Sequence, residues 1–234
     1  MNVRCLLLAA GVLCLGSCVI ETSTGPTRHD SRTFDRGSAE RLSVNLNMGA
    51  GNLKVRGGSS RLAQADFAYN VDSWKPEVRY SGAGAHGSLT INQPGHSHSH
   101  FGSVKYEWDL ALNDDIPVDL TAHFGAGEAR LDLGSLALRS VEVEMGVGEL
   151  RMDLRGKPRH DYDVHIRGGI GEATIHLPAN VGVYAVGSGG IGEIKTSGLR
   201  RDGDHWVNDA YEESKTRIHL DIRGGIGSIN LIAD

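Results

Sequence analysis

Three histidines at alternate positions form the most distinctive chemical pattern in the chain. They lie in segment 95–102, which reads Gly-His-Ser-His-Ser-His-Phe-Gly. In an extended segment this spacing places His96, His98 and His100 on one face, where neutral imidazoles could hold Zn²⁺, Ni²⁺ or Cu²⁺. Glycine, proline and serine surround them, and no nearby carboxylate is available to orient the rings. A solvated histidine-rich loop is the alternative, and we expect no required cofactor.

Four glutamates recur at one position of an internal repeat, each directly after a Gly-x-Gly motif. They are Glu128, Glu149, Glu172 and Glu193. If the copies stack about 4.8 Å apart, the carboxylates form a column that repels by about 1 kcal/mol per pair in water. Basic side chains at Arg130, Arg151 and Lys195 follow two residues later and can offset that repulsion. The column is interpreted as a surface charge ladder that fixes register, with a cation or ligand site as the alternative.

The Gly-x-Gly motif itself organises the chain. From Gly125 the motif recurs after steps of 21, 23, 21 and 35 residues, and an earlier copy begins at Gly49. A period of this size predicts stacked repeats, and paired glycines suit corners where φ is positive or two backbones approach closely. The predicted corner glycines are Gly49, Gly51, Gly125, Gly127, Gly146, Gly148, Gly169, Gly171, Gly190, Gly192, Gly225 and Gly227.

Apolar residues alternate with polar ones on both sides of each corner. Val118, Leu120 and Ala122 precede one corner, and Leu131 and Leu133 follow it. A period of two predicts strands with one buried face, so the chain is predicted to be an all-β, single-stranded β-solenoid with rungs of about 21–23 residues. Residues 117–234 are the predicted repeats, with a loop at about 199–215 inserted into one rung. Residues 39–116 are the predicted β-rich N-terminal cap.

The first residues have the pattern of an export sequence. An apolar run follows Arg4 and ends in Leu15-Gly16-Ser17-Cys18, which resembles the lipobox of bacterial lipoproteins. The resemblance implies removal of residues 1–17 and acylation of Cys18, and several acyl chains suffice for stable anchoring. Residues 18–38 are predicted to be a flexible tether. By similarity to Gram-negative lipoproteins, Val19 favours the outer membrane, with the domain on its periplasmic or surface face.

Composition excludes several function classes. The formal net charge is −5, and no basic run with interleaved aromatics occurs, which argues against a nucleic-acid partner. The three cysteines are Cys5, Cys14 and Cys18, so a processed chain would hold no disulfide. Two stretches, 82–87 and 187–192, fit the dinucleotide fingerprint by letter but are not expected to open a helix. No nucleophile, zinc-protease or phosphate-binding motif occurs, and we predict that the protein is not an enzyme.

Four segments, in order along the chain, carry a resemblance to a known family. They are residues 42–55, 108–120, 125–133 and 206–211. Together they are similar to the bacterial toast-rack family, which is related to cell-wall-stress proteins of the LiaF type. The resemblance covers residues 39–234 and implies a stacked β-solenoid without an established activity. LiaF-type proteins carry transmembrane helices before this domain, whereas the present chain has the lipobox.

We therefore predict a lipid-anchored, non-enzymatic envelope protein of structural or interaction type, with a link to envelope stress as one option. Its expected partners are the membrane, through the anchor, and an envelope protein or glycan. The last rung, near residues 229–233, shows no cap, which allows self-association through the C-terminal end of the solenoid. Alternatives are a carbohydrate-active β-helix enzyme or a carbohydrate-binding module, and metal binding through His96, His98 and His100.

Overall fold

The computed structural model describes residues 22–95, 100, 101 and 103–234. The predicted export sequence, Cys18, His96 and His98 lie outside this range. In the part of the chain that the structure describes, no helix has the length and apolar character needed to cross a membrane.

The described residues form one 3₁₀ helix, Asp72–Trp74, and fifteen strands. These are β1 (Thr22–Ser23), β2 (Arg28–Phe34), β3 (Arg41–Arg56), β4 (Ala63–Tyr69), β5 (Glu77–Ala83), β6 (His86–Asn92), β7 (His100–Phe101), β8 (Tyr106–Leu112), β9 (Pro117–Asp132), β10 (Ala137–Asp153), β11 (Tyr162–Leu177), β12 (Gly182–Ser197), β13 (Arg200–Asp202), β14 (His205–Val207) and β15 (Arg217–Ala233).

Six long strands, β3, β9, β10, β11, β12 and β15, are the rungs of the structure, and each contains one Gly-x-Gly motif. We call the residues before the motif the first arm and those after it the second arm. In β9, Val118, Leu120 and Ala122 of the first arm and Ala129 and Leu131 of the second arm are buried in the same hydrophobic core. Both arms face one core because the strand changes direction at the glycines.

The six rungs pair in parallel and in register, so each corner lies on the corner of the next rung. Gly127 of β9 pairs with Gly51 of β3 and with Gly148 of β10. Gly148 has φ of 142°, and a Cβ there would overlap the carbonyl oxygen of Gly127. Glycine is required at this position both for its backbone conformation and for the contact between rungs. The predicted single-stranded β-solenoid with Gly-x-Gly corners is confirmed.

The spatial order of the last rungs differs from their order in the chain. In space the rungs follow the order β3-β9-β10-β11-β15-β12. The last strand along the chain, β15, therefore lies between β11 and β12. The prediction that the residues near 229–233 form the exposed end is therefore wrong, because β15 has a rung on each side.

The side chains of the two strands account for this exchange. In its first arm, β15 buries Ile218, Leu220 and Ile222. The paired inward residues of β12 are smaller: Val183, Ala185 and Gly187. The more apolar strand occupies the position that is covered on both sides, as expected for a buried parallel strand.

The N-terminal part closes the other end of the stack. The first arm of β3 pairs with β6, and its second arm pairs with β8, which continues through β4 to β2. Trp108 of β8 is buried and lies edge-on to Phe67 of β4, with 5.9 Å between ring centroids. The prediction of a flexible tether over residues 18–38 is wrong for Arg28–Phe34, which forms β2 and pairs antiparallel with β4. This segment has few apolar residues, and it is ordered because the edge of β4 supplies its hydrogen-bond partners.

The loop between β12 and β15 covers part of the last rung. Trp206 of β14 packs against the core, close to Gly187 and beside Ile194. Asn208 is buried, and its side-chain amide donates to the carbonyl of Val181 at 2.7 Å while its Oδ1 accepts from the Val183 amide at 2.9 Å. The aromatic and amide side chains therefore fasten the loop to the solenoid.

Candidate functional site

The outward side chains of the second arms form two parallel columns, which we call the second-arm face. The first column, in spatial order, is Asn52, Glu128, Glu149, Glu172, Ser228 and Glu193. The second column is Lys54, Arg130, Arg151, Thr174, Asn230 and Lys195. The structure brings Glu128, Glu149 and Glu172 together in successive rungs and separates Glu193 from them by Ser228.

The acidic column is matched by hydrogen-bond donors at several of its positions. Arg151 forms an ion pair with Glu149, and this contact raises the pKa of the arginine, with smaller contributions from Glu128 and Glu172. Asn230 donates to Glu172 at 3.1 Å, and the Lys195 ammonium lies 3.3 Å from Glu193. Because these side chains are exposed, solvent screening leaves each pair only a small contribution to folding. The two columns therefore determine the charge pattern of the surface more than they determine the stability of the fold.

The second-arm face continues beyond the rungs onto the N-terminal strands, where it contains a groove of about 480 Å³. Charged side chains from five strands line it: Asp66, Glu107, Asp109, Glu128, Glu149, Lys54, Arg130 and Arg151. Lys54 lies 3.5 Å from Asp109, and Ser31 donates to Asp66 at 2.6 Å. Sequence reasoning missed this groove because β2, β4 and β8 contribute to it and none of them contains the repeat.

The arrangement is suited to polar recognition. Carboxylate acceptors alternate with guanidinium and ammonium donors along a wide, open face, and the hydrogen-bonded sheet beneath holds their spacing. Among the residues that the structure describes, no group of three or more His, Cys, Asp or Glu side chains has an arrangement that could hold a metal ion. His100 belongs to β7, which pairs with β1.

The outward side of the first arms, which we call the first-arm face, carries a different charge cluster. Arg167 contacts Glu142 and Glu144, with 3.0 Å between nitrogen and oxygen in each pair. His123 Nδ1 lies 3.0 Å from the second oxygen of Glu144. Hydrogen bonds from Arg167 first, and then from His123, lower the pKa of Glu144. These contacts link three successive rungs, β9, β10 and β11.

The corners expose an apolar ridge and enclose a cavity. Val147 and Ile226, the middle residues of their motifs, are 51% and 50% exposed. On the inner side of the corner, glycines Gly168, Gly224 and Gly189 stand where β9 and β10 have Phe124 and Met145. A cavity of about 250 Å³ lies along these glycines.

Neither of the two stretches that fit the dinucleotide fingerprint opens a helix. Residues 82–87 span the end of β5, the two-residue turn at 84 and 85, and the start of β6, and Gly84 in the turn has φ of 58°. Residues 187–192 form the corner of β12. Because a helix N-terminus is what holds a pyrophosphate in that fold, these glycines have a structural role.

A parallel stack of bent strands with a charged outer face defines a class of β-solenoid domain, and sequence comparisons identify the family. The N-terminal domain of toast_rack, DUF2154, matches residues 23–176. A second family, the C-terminal domain of the cell wall-active antibiotics response protein LiaF, matches residues 125–231. The chain belongs to the toast-rack family, and the relationship to LiaF is confirmed.

Solved structures include one clear relative. A proposed cell adhesion protein from Clostridium sporogenes is 30% identical, with a TM-score of 0.85, covering 89% of this chain and 100% of that chain. Proposed adhesins from Parabacteroides merdae and Parabacteroides distasonis are each 10% identical with TM-scores of 0.28. They cover 89% and 90% of this chain and 98% and 99% of theirs. None of the curated proteins matches the chain in sequence.

Proposed function

We propose that the protein is a non-enzymatic, lipid-anchored component of the cell envelope that binds a protein partner through its second-arm face. The observation that carries this proposal is the in-register column of Glu128, Glu149 and Glu172 beside Arg130 and Arg151, continuous with the charged groove. The likeness to a proposed cell adhesion protein and the match to LiaF support an interaction role in the envelope.

The weakness of the exposed ion pairs makes this face suitable for exchange with a partner. Each pair contributes little to folding because solvent screens exposed charges, so a partner can replace it with its own charges. The fixed spacing of the rungs then selects partners whose charges repeat at a matching distance. Binding of this kind is specific and fast, and it weakens as salt screens the charges.

Capture of partners from native envelopes tests the face. The variant E128Q/E149Q/E172Q removes three carboxylates from the second-arm face, and E142Q/E144Q/D163N removes three from the first-arm face of the same region. We expect crosslinking and pull-down to lose the partner with the first variant and to keep it with the second, while both retain the circular dichroism spectrum of the unchanged protein. Equal capture by both variants would contradict the proposal.

The nature of the partner is tested on purified material. Retention of the protein by peptidoglycan or polysaccharide that contains no protein, abolished by E128Q/E149Q/E172Q, would replace the protein partner with a glycan. Turnover of uronate polymers or peptidoglycan, with or without Ca²⁺, would overturn the non-enzymatic assignment. We expect neither retention nor turnover.

The proposed anchor has a separate test. Cys18→Ala removes the thiol that would carry the acyl chains, and Cys5→Ala is a matched control within the apolar run. We expect labelled palmitate to enter the unchanged protein and C5A but not C18A. We also expect C18A to retain residues 1–17, because the lipobox resemblance makes processing depend on Cys18. Labelling of C18A would rule out this anchor without affecting the proposed binding face.

A further inference from the structure

The end of the solenoid formed by β12 has an uncovered edge. On its inner side β12 pairs with β15 along its whole length. On its outer side it pairs with β14 at Tyr184 and Ala185, both in the first arm. Within the described ranges, no strand pairs with the outer edge of the second arm, from Glu193 to Ser197. An unpaired edge of this kind presents backbone donors and acceptors to another strand.

The opposite end of the stack differs in how its edge is protected. There β2 is the outer strand, and it carries Arg28, Asp30 and Arg32, which form ion pairs with neighbouring acids and bases. Dense charge on a short edge strand discourages pairing. The second arm of β12 has one apolar residue, Ile194, between two residues of opposite charge, Glu193 and Lys195, and it contains no proline.

The charges at this edge are complementary to themselves. If two copies of β12 pair antiparallel about a two-fold axis at Ile194, Glu193 of each copy lies opposite Lys195 of the other. The pattern is isologous, because one strand supplies both partners of each pair. Both side chains are exposed, at 68% for Glu193 and 62% for Lys195, and are therefore free to exchange their contact within the strand for one between copies.

A second copy would also cover apolar surface on the inward side of the same edge. Ile194 is only half-buried, whereas the equivalent residue Ile229 of β15 is buried. Ile194 also lines the corner cavity of about 250 Å³ beside Gly189 and Gly192. Antiparallel pairing at Ile194 places the two isoleucines opposite each other on the core side of one continuous sheet, with Cβ atoms about 4.5–5.5 Å apart.

We propose that the chain forms a homodimer by antiparallel pairing of the second arms of β12, with the two-fold axis between the Ile194 residues. The partner is a second copy of this chain, and the two solenoids become one continuous sheet. This inference does not depend on the proposed partner binding, which rests on Glu128, Glu149 and Glu172, whereas Glu193 and Lys195 lie at the opposite end of the second-arm face.

Charge reversal at the edge tests the pairing in the full chain purified in detergent micelles. K195E places like charges opposite each other twice in the dimer, and E193K/K195E restores two attractive pairs. We expect analytical ultracentrifugation to show a dissociation constant raised about tenfold or more for K195E and restored for the double variant. K54E makes the same charge change in the same column away from the edge and should dimerise like the unchanged protein. A monomer at every concentration in the unchanged chain would overturn the proposal.

Disulfide trapping tests the register. Under mild oxidation, I194C should form a crosslinked dimer, because each new thiol faces its own copy. T196C is the matched control: it lies on the same inward face, but in this register residue 196 faces residue 192 of the other copy and should crosslink far more slowly. Crosslinking of T196C as fast as I194C, or of neither variant, would contradict the register. If K195E slows the crosslinking of I194C in the combined variant, both tests report on the same interface.

Discussion

Glu172 in β11 lies in register with Ser228 in β15, the last strand along the chain. The sequential repeat would instead place Glu172 beside Glu193. The insertion of β15 therefore divides the acidic column into a continuous part, from Glu128 to Glu172, and an isolated member, Glu193, at the end of the stack. The two parts have separate proposed roles, one in binding a partner and one in pairing two copies.

The corner glycines make a sharp prediction about stability. Gly148→Ala combines a φ of 142° with an overlap between the new Cβ and the carbonyl oxygen of Gly127. We expect a loss of about 3 kcal/mol or more in the free energy of unfolding, measured in urea. Gly168→Ala is the control, because nothing lies within 4 Å of a Cβ at that position. A loss of equal size for both variants would show that the corner geometry is not the cause.

The corner cavity predicts a substitution that stabilises the protein. Met145 fills the inner side of the corner in β10, and Gly168 stands at the same position in β11 with open space above it. Gly168→Met buries apolar surface in the cavity and should raise the free energy of unfolding by about 1 kcal/mol. Gly169→Met, which would collide with the backbone of Gly146, should lower it. Thermal unfolding of the two variants gives shifts of opposite sign if the cavity is as described.

Much of the fold is predictable from sequence because its determinants are local. Alternation on either side of each Gly-x-Gly specifies two arms and a corner, and the period specifies stacking, as Gly127 on Gly148 illustrates. The spatial order of β12 and β15, in contrast, is not determined by the local sequence of either strand. Both rungs carry the same motif, and only the comparison of their inward residues over the whole stack selects which one is covered on both sides.

The N-terminal strands show the same limit in another form. Segment Arg28–Phe34 has the composition of a tether, yet it becomes β2 because β4 offers a free edge. The charged groove follows from that pairing, since its walls include β2, β4 and β8 as well as the rungs. No motif in any one segment indicates a surface assembled from six strands.

Asn208 provides a test of how the loop is fastened at the end of the stack. Its buried amide donates to the carbonyls of Pro178 and Val181 and accepts from the amide of Val183. Asn208→Ala leaves these buried backbone groups without partners, and we expect a loss of about 2–3 kcal/mol in the free energy of unfolding. Asn208→Asp keeps the acceptor but loses both donors, so it should also destabilise the protein. Unfolding in urea that is unchanged for both variants would contradict this role.

The cluster on the first-arm face predicts a pH dependence with a definite sign. The pKa of Glu144 is lowered from its ordinary value of 4.5, chiefly by Arg167 and then by His123. Carbon-detected NMR should therefore give Glu144 a titration midpoint below 4.5. Arg167→Gln should raise that midpoint more than His123→Gln does, because Arg167 is the larger cause. An unchanged midpoint in Arg167→Gln would contradict the geometry.

The same lowered pKa determines where this contact stabilises the fold. A carboxylate with a lower pKa in the folded state stabilises that state fully above its unfolded value, near 4.5, and the contribution is lost as the pH falls through the folded value. The difference in melting temperature between the unchanged protein and Arg167→Gln should therefore be largest at neutral pH and shrink below about pH 4.5. Glu142 also contacts Arg167, so Glu144→Gln isolates the share that belongs to Glu144. A difference in melting temperature that grows with acidity would reverse the sign and contradict the assignment.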